Sequence, residues 1–244
     1  AAGVGPGGGP GGPRPSGPPE LNTPITVKEV QHAVKKQKDN ACSPLDMITN
    51  SMLVHGGAAV AVSLKYLFNK IFTSGLCPTS WQTGVMTMVF KTDDKLDWAN
   101  YRGITLLSIV GKVFESIVAT RLSTYLENAG VLPAEQGGFR KHFGCTDHVF
   151  ILAETIKYRA RRGQNTYAGF LDIKKAFPTM HHASMLHALS EAGVVGHMWH
   201  VIERMYSCHS SRIILNGQLS EPYDVRSGLR EGSVLSPILY LVYI

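Results

Sequence analysis

Residues 170–177 of this chain read Phe170-Leu171-Asp172-Ile173-Lys174-Lys175-Ala176-Phe177. The apolar residues of 166–173 predict a buried strand, and that strand ends in the carboxylate of Asp172. A strand end holds a side chain rigidly, and Mg²⁺ binds oxygen ligands that often include one or two carboxylates. Asp172 is therefore a candidate metal ligand. A single Asp in this position is also common as a turn residue or a helix cap, and the residues alone leave both interpretations open.

The order of elements after this strand predicts an α+β fold. Apolar residues at helical spacing predict helices over about 182–191 and 197–208 and a last helix from near Val234. Asn216-Gly217 predicts a tight turn between strands 212–215 and 218–225. Strand, helices, hairpin and helix in this order indicate helices on one face of a sheet.

The N-terminal half is expected to be rich in helices. Thr26 and Glu29 have the spacing of a capping box, which predicts a helix start at Val27. The apolar spacing of 109–128 predicts a long helix that ends before Gly130. The helix that starts at Val27 is expected to extend over 27–38. Further helices are expected at 46–55, 60–74 and 146–161, and strands at 84–91 and 101–107.

The composition is that of a folded domain with one unusual end. Hydrophobic residues make up 44% of the 244 residues, and the net charge is +6, which suits a polyanionic partner without requiring one. Residues 1–19 contain eight Gly and six Pro, so we predict a disordered tail over 1–22.

The sequence has no apolar run long enough for a membrane helix and no signal-peptide pattern. With four widely spaced cysteines read as reduced thiols, we expect an intracellular protein of the nucleus or cytoplasm with no membrane partner.

Four blocks of sequence resemble the reverse transcriptases of non-LTR (LINE-type) retrotransposons. The first two, 100–107 and 135–147, are similar to finger motifs; 170–177 is similar to palm motif A, and 228–237 to palm motif B. The four stand in the order of that family, with compatible spacing, and the resemblance extends over about 25–244.

The resemblance implies the fingers and an incomplete palm of a right-hand polymerase, with an antiparallel sheet backed by helices. Residues 23–165 would form the fingers and 166–244 a partial palm. Such an enzyme is an RNA-directed DNA polymerase. It binds an RNA template, a DNA primer and a dNTP, and it uses two Mg²⁺ ions.

The resemblance also implies roles for individual residues. Asp172 and the backbone carbonyl of Ile173 match the metal ligands of motif A. Phe177 matches the aromatic residue that excludes a 2′-hydroxyl. Lys91 and Arg102 match the clamp on the triphosphate of the incoming nucleotide. In motif B, Glu231 and Gly232 are also expected at the nucleotide, and Gly232 matches the glycine that lets the backbone approach the base pair closely.

Two positions depart from the pattern of this family. Pro178 stands where motif A usually has a second Asp, and Glu231 stands where motif B usually has Gln. A carboxylate at 231 would repel a triphosphate unless it is protonated. The Asp-Asp hairpin of motif C does not follow Asp172, so we expect a chain truncated before motif C that does not polymerise DNA by itself.

Other interpretations remain open from the sequence. The chain could be a catalytically dead remnant that binds RNA or an RNA–DNA duplex, or an RNA-templated RNA polymerase, although Phe177 disfavours the latter. The basic residues at the end of helix 146–161 either complement its dipole or contact phosphate. His142, Cys145 and His148 are spaced by three, but a structural zinc site needs a fourth ligand, and none is near in sequence.

Overall fold

The computed structural model describes residues 17–38 and 45–244. Its helices α1 to α5 precede the first strand, and α6 to α10 follow the first hairpin. In chain order the helices are α1 (Pro19–Asn22), α2 (Val27–Lys36), α3 (Asn50–His55), α4 (Gly57–Ser74), α5 (Thr79–Gln82), α6 (Ile109–Asn128), α7 (Cys145–Ala160), α8 (His182–Glu191), α9 (His197–Ser207) and α10 (Ser236–Tyr243). The strands are β1 (Thr83–Phe90), β2 (Tyr101–Leu106), β3 (Ser210–Leu215), β4 (Gln218–Leu219) and β5 (Tyr223–Asp224).

Helix α6 is the centre of the hydrophobic core. It has the bounds that the sequence predicts, and eleven of its 20 residues are buried. Its N-terminus is capped by Ser108, whose hydroxyl accepts a hydrogen bond from the N–H of Gly111. Phe114 of α6 packs against Phe68 of α4 and against Trp81 of α5, with ring centroids 5.3 and 5.8 Å apart. Burial of this kind is the main favourable term in folding, so α6 fixes the position of the elements around it.

The sheet is mixed, which differs from the antiparallel sheet that the sequence predicts. Its strand order is β2-β1-β3-β4, and β5 pairs with β3. Strand β1 pairs antiparallel with β2 and parallel with β3. The parallel pair joins residues that are far apart in sequence, and no local pattern signals such a contact.

The predicted strand at 166–173 is wrong. The structure has no strand there, and Leu171 is fully exposed while Phe170 is 84% exposed. A strand forms only when its backbone N–H and C=O groups pair with another strand. In the described part of the chain, the five strands pair with one another and none pairs with this segment.

The predicted tail reaches too far into the chain. Residues 1–16 lie outside the described part, but Pro19–Asn22 form α1, and the side chain of Leu21 is fully buried. The amide of Asn22 donates to the carbonyl of Val195 at 3.2 Å. The N–H of Met198 also donates to Asn22 Oδ1 at 3.1 Å. These contacts dock a short segment that composition alone assigns to the tail.

The structure also bears on several smaller predictions. Helix α3 begins at Asn50 rather than at 46, because Thr49 caps it by accepting from the N–H of Met52. Cys77, Cys145 and Cys208 are free thiols, and Cys42 lies outside the described residues. His142, Cys145 and His148 are all exposed. Among the helices described, none has the length and apolar character needed to cross a bilayer.

Candidate nucleotide-binding site

The β1–β2 hairpin places two cationic side chains on one face. Arg102 lies directly opposite Val89 in the antiparallel register. Lys91 follows the end of β1, and its N–H donates to the carbonyl of Asn100 at 2.9 Å, which continues the pairing by one residue. Because side chains alternate along a strand and directly opposed residues share a face, Lys91 and Arg102 project from the same side of the hairpin. Both are exposed, so this face can bind an anion.

A loop, residues 228–235, lies along the outer edge of β2. The N–H of Thr105 donates to the carbonyl of Glu231 at 2.7 Å, which satisfies an edge group that β1 does not reach. Gly232 follows with a φ of +118°, and a Cβ at this position would lie 2.4 Å from the carbonyl oxygen of Thr105. The loop can approach the strand this closely only because residue 232 is glycine.

The same loop brings a carboxylate to the cationic face. Glu231 Oε2 accepts from Arg102 Nε at 2.7 Å. The Arg102 side chain is 58% exposed and that of Glu231 is 20% exposed. The structure thus joins Arg102 and Glu231, which are distant in sequence. Arg102 forms an ion pair with a carboxylate of its own chain.

A buried ion pair anchors this loop to α6. Glu115 of α6 accepts from Arg230 Nη2 at 3.0 Å, from Ser233 Oγ at 2.6 Å and from the N–H of Val234 at 3.3 Å. Arg230 also donates to the carbonyl of Trp81 at 3.0 Å. Both charged side chains are almost fully buried. Because the carboxylate has three donors, its buried charge is compensated, and the loop has a fixed position.

Two groups close to this ion pair, Cys77 and His209, are neutral at physiological pH. Burial raises the pKa of the Cys77 thiol to about 11. Burial, helped by the positive charge of Arg230, lowers the pKa of His209 to about 4. The Cys77 thiol is therefore a poor nucleophile, since the thiolate is the reactive form.

Phe177 lies where the end of motif A meets the start of motif B. Its carbonyl accepts from the N–H of Leu229 at 2.9 Å. Its ring is half-buried against Phe139 and Tyr240, with centroids 6.1 and 5.3 Å away. Close packing continues at Gly228, where a Cβ would lie 2.8 Å from the carbonyl oxygen of Pro178. The structure therefore brings these two segments together through the backbone.

Asp172 and Ile173 are exposed, on a segment that pairs with no strand of the described sheet. Ile173 is 60% exposed. The Asp172 carboxylate makes no hydrogen bond or ion pair with any residue that the structure describes.

Comparison with known proteins identifies the family. Residues 90–244 match the family described as reverse transcriptase (RNA-dependent DNA polymerase). This chain belongs to the reverse transcriptase family. The matched region contains all four sequence blocks and every predicted site residue.

Similar proteins come from mobile elements. A probable RNA-directed DNA polymerase from transposon X-element of Drosophila melanogaster is 26% identical over 91% of this chain. An RNA-directed DNA polymerase from mobile element jockey of Drosophila funebris is 25% identical over 90% of it. A retrovirus-related Pol polyprotein from type-1 retrotransposable element R2 of Nasonia vitripennis is 26% identical over 89%. The predicted resemblance to reverse transcriptases of non-LTR retrotransposons is confirmed.

The chain spans only 20% to 24% of the length of these three relatives.

The described residues do not form the metal site that the reverse transcriptase family implies. A two-metal site needs several oxygen ligands around ions about 3.5–4 Å apart. In the parts of the chain described, no three His, Cys, Asp or Glu side chains are placed to hold a metal ion. Asp172 is the only acidic residue in its segment, so the residues present do not fit two Mg²⁺ ions.

The sequence did not reveal Glu115 and Arg230 as the anchor of the reverse transcriptase motif B loop. The signal in the sequence is the position of Glu115 within 113–118, where four of the other five residues are apolar. In the structure all six residues are buried. A carboxylate on such a helix segment requires a buried partner, because an unpaired buried charge is strongly destabilising.

Proposed function

We propose that this chain supplies the fingers (23–165) and a partial palm (166–244) of a right-hand, RNA-directed DNA polymerase, and that it binds a deoxynucleoside triphosphate at the β1–β2 hairpin. The single observation that carries the proposal is the meeting of Arg102 with the loop that contains Glu231 and Gly232. Two motifs of one family, 129 residues apart, meet at a cationic surface.

The proposed roles follow the chemistry of nucleotidyl transfer, in which a primer 3′-hydroxyl attacks the α-phosphorus and pyrophosphate leaves. Positioning and charge neutralisation supply most of the catalysis. Lys91 as a point charge and Arg102 as a planar fork would bind the triphosphate. Gly232 would let the backbone approach the nascent base pair, and Phe177 would contact the sugar and disfavour a 2′-hydroxyl.

The proposal for this chain is nucleotide and template–primer binding. Asp172 and the carbonyl of Ile173 remain the proposed Mg²⁺ ligands of motif A on the family resemblance alone. Because the described residues do not form a two-metal site, we propose that the chain by itself does not catalyse polymerisation.

The test is binding of a fluorescent deoxynucleoside triphosphate to the whole chain. Arg102→Ala and Lys91→Ala are each expected to weaken binding about tenfold, because each removes a charge-assisted contact to phosphate. Arg204→Ala is a matched control, since Arg204 is 53% exposed and also lies beside a glutamate, but on α9. Equal affinities of the Arg102→Ala and Arg204→Ala variants would refute the proposed site.

A second candidate function is binding of RNA without catalysis, as in a retroelement remnant. The observation in its favour is the exposed basic end of α7, where Arg161 and Arg162 are exposed and the Arg162 guanidinium lies 4.2 Å from the centre of the Tyr158 ring. Such an aromatic–arginine pair can stack on bases.

The salt dependence of RNA binding tests the contact between the end of α7 and RNA phosphates that this second candidate requires. If α7 contacts phosphates, replacing Arg161 and Arg162 by Ala is expected to reduce the slope of log K against log salt by about 2. Lys65→Ala and Lys70→Ala on α4 together remove the same charge and serve as the control. An unchanged slope would leave these arginines with the role of complementing the helix dipole.

A further inference from the structure

Arg102 is already engaged by an anionic group of the protein. Glu231 Oε2 lies 2.7 Å from Arg102 Nε, and the carboxylate is the less exposed partner. An arginine binds phosphate through the planar fork of its N–H groups, and here one of those groups donates to a carboxylate. A triphosphate that approaches Arg102 therefore meets a cation whose charge is balanced and whose Nε–H is occupied.

The backbone of Glu231 cannot withdraw easily from this position. Its carbonyl accepts from the N–H of Thr105 at 2.7 Å, and Gly232 beside it lies against the Thr105 carbonyl. The loop residues on either side of Glu231 and Gly232, Arg230 and Ser233, both donate hydrogen bonds to the buried carboxylate of Glu115. The Arg102–Glu231 pair can therefore open by rotation of the Glu231 side chain while the loop stays in place.

We infer that Glu231 is an internal competitor of the triphosphate for Arg102 and so sets the nucleotide affinity of this site. This inference rests on the proposed function, because it assumes that Arg102 contacts the nucleotide. Binding of the triphosphate must either displace the Glu231 carboxylate or place its own negative charge next to it. Both lower the affinity, and both disappear when residue 231 is uncharged.

The experiment measures the dissociation constant of a fluorescent dNTP, and of inorganic tripolyphosphate by competition, for the wild-type chain and four variants. Glu231→Gln preserves the size of the side chain and removes its charge. It is expected to tighten binding of both ligands about 5- to 10-fold, which is the scale of a partly exposed ion pair plus removal of a like charge. The other variants are Arg102→Ala, the double Glu231→Gln/Arg102→Ala, and Glu221→Gln.

Glu221→Gln is the control for net charge. Glu221 is exposed and follows β4, at the opposite edge of the sheet from β2. Its variant has the same net charge as Glu231→Gln, and its affinity is expected to differ from that of the wild type by less than about twofold. The gain at Glu231 is expected to be smaller in the double variant, because without Arg102 only the like-charge repulsion between residue 231 and the triphosphate remains to be removed.

The outcomes separate the inference from the proposed function. If wild type and Glu231→Gln bind equally and both lose affinity with Arg102→Ala, the clamp stands and the inference is overturned. If Glu231→Gln tightens binding as much with Arg102→Ala as without it, or no more than Glu221→Gln does, the competition at Arg102 is overturned. If none of the chains binds either ligand, the proposed function itself fails.

Discussion

Gly232 shows how one residue without a side chain decides the geometry of the site. Its φ of +118° lies outside the range of ordinary residues, and a Cβ would meet the backbone of Thr105. The sequence predicted Gly232, Glu231, Lys91 and Arg102 as nucleotide contacts, and the structure brings Arg102 to Glu231. Their arrangement as an internal ion pair depends on a loop path that no local pattern specifies.

Gly232→Ala is expected to reduce the free energy of unfolding by about 3 kcal/mol, because backbone strain and a clash with a backbone oxygen act together. Gly217→Ala is the matched control: Gly217 also has positive φ, +78°, but a Cβ there meets nothing within 4 Å. The control is expected to lose about 1 kcal/mol from the conformation alone. Denaturant unfolding measures both, and equal losses would contradict the close approach to Thr105.

His209 is expected to make the protein less stable in acid. Burial and the nearby charge of Arg230 lower its folded pKa to about 4, whereas the unfolded chain takes up this proton near the usual value of 6.5. The unfolded state therefore binds more protons between these pH values, and the free energy of unfolding falls as the pH falls from about 6.5 to about 4. The loss from this group is at most about 3 kcal/mol.

The measurement is the slope of the unfolding free energy between pH 7 and pH 5. His209→Gln is expected to flatten this slope even if it lowers the stability at pH 7. His32→Gln, at an exposed position on α2, is expected to leave the slope as it is. Burial also lowers the pKa of His182, which adds to the slope with the same sign and remains in both variants. An unchanged slope in His209→Gln would contradict the prediction.

Whether a helix or strand was predicted correctly depends on whether the residues that determine it lie close together in the sequence. The bounds of α6 follow from its apolar spacing, its cap at Ser108 and Gly130 beyond its end, all of which are within the helix or next to it. The strand predicted at 166–173 failed because a strand also requires a partner, and apolar composition does not supply one. The parallel pairing of β1 with β3 was missed for the same reason.

The contact between α6 and the loop 228–235 predicts a large effect of Glu115. Glu115→Gln leaves the buried Arg230 without its counter-charge, and the free energy of unfolding is expected to fall by about 3–5 kcal/mol. Replacing both residues by apolar side chains, Glu115→Leu with Arg230→Met, is expected to restore much of this loss.

Glu154→Gln provides the comparison with an exposed pair. Glu154 accepts from Lys157 at 2.7 Å on the surface of α7, and its loss is expected to change the stability by less than about 0.5 kcal/mol. Denaturant unfolding of the three variants tests the assignment. A loss at Glu115→Gln as small as that at Glu154→Gln would show that the buried pair does not anchor the loop.

In the whole molecule, burial is distributed unevenly between helices. Helix α6 has eleven buried residues, whereas α7 has none. Local opening is easiest where few apolar contacts are broken. Amide hydrogens of α6 are therefore expected to exchange at least about 100-fold more slowly than those of α7, measured by hydrogen exchange with mass spectrometry. Similar protection of both helices would contradict this difference.

The pairing of β1 with β3 has a consequence for biosynthesis. Thr83 is aligned with Ser210, and the two are separated by 127 residues. At a synthesis rate of about 5–20 residues per second, the ribosome needs roughly 6 to 25 s to make that interval. During this time the inner edge of β1 has no native neighbour, so the nascent hairpin is exposed to pairing with other chains. Co-translational protection of this edge, by a chaperone or by early collapse of the helices, is expected to govern the yield of folded protein.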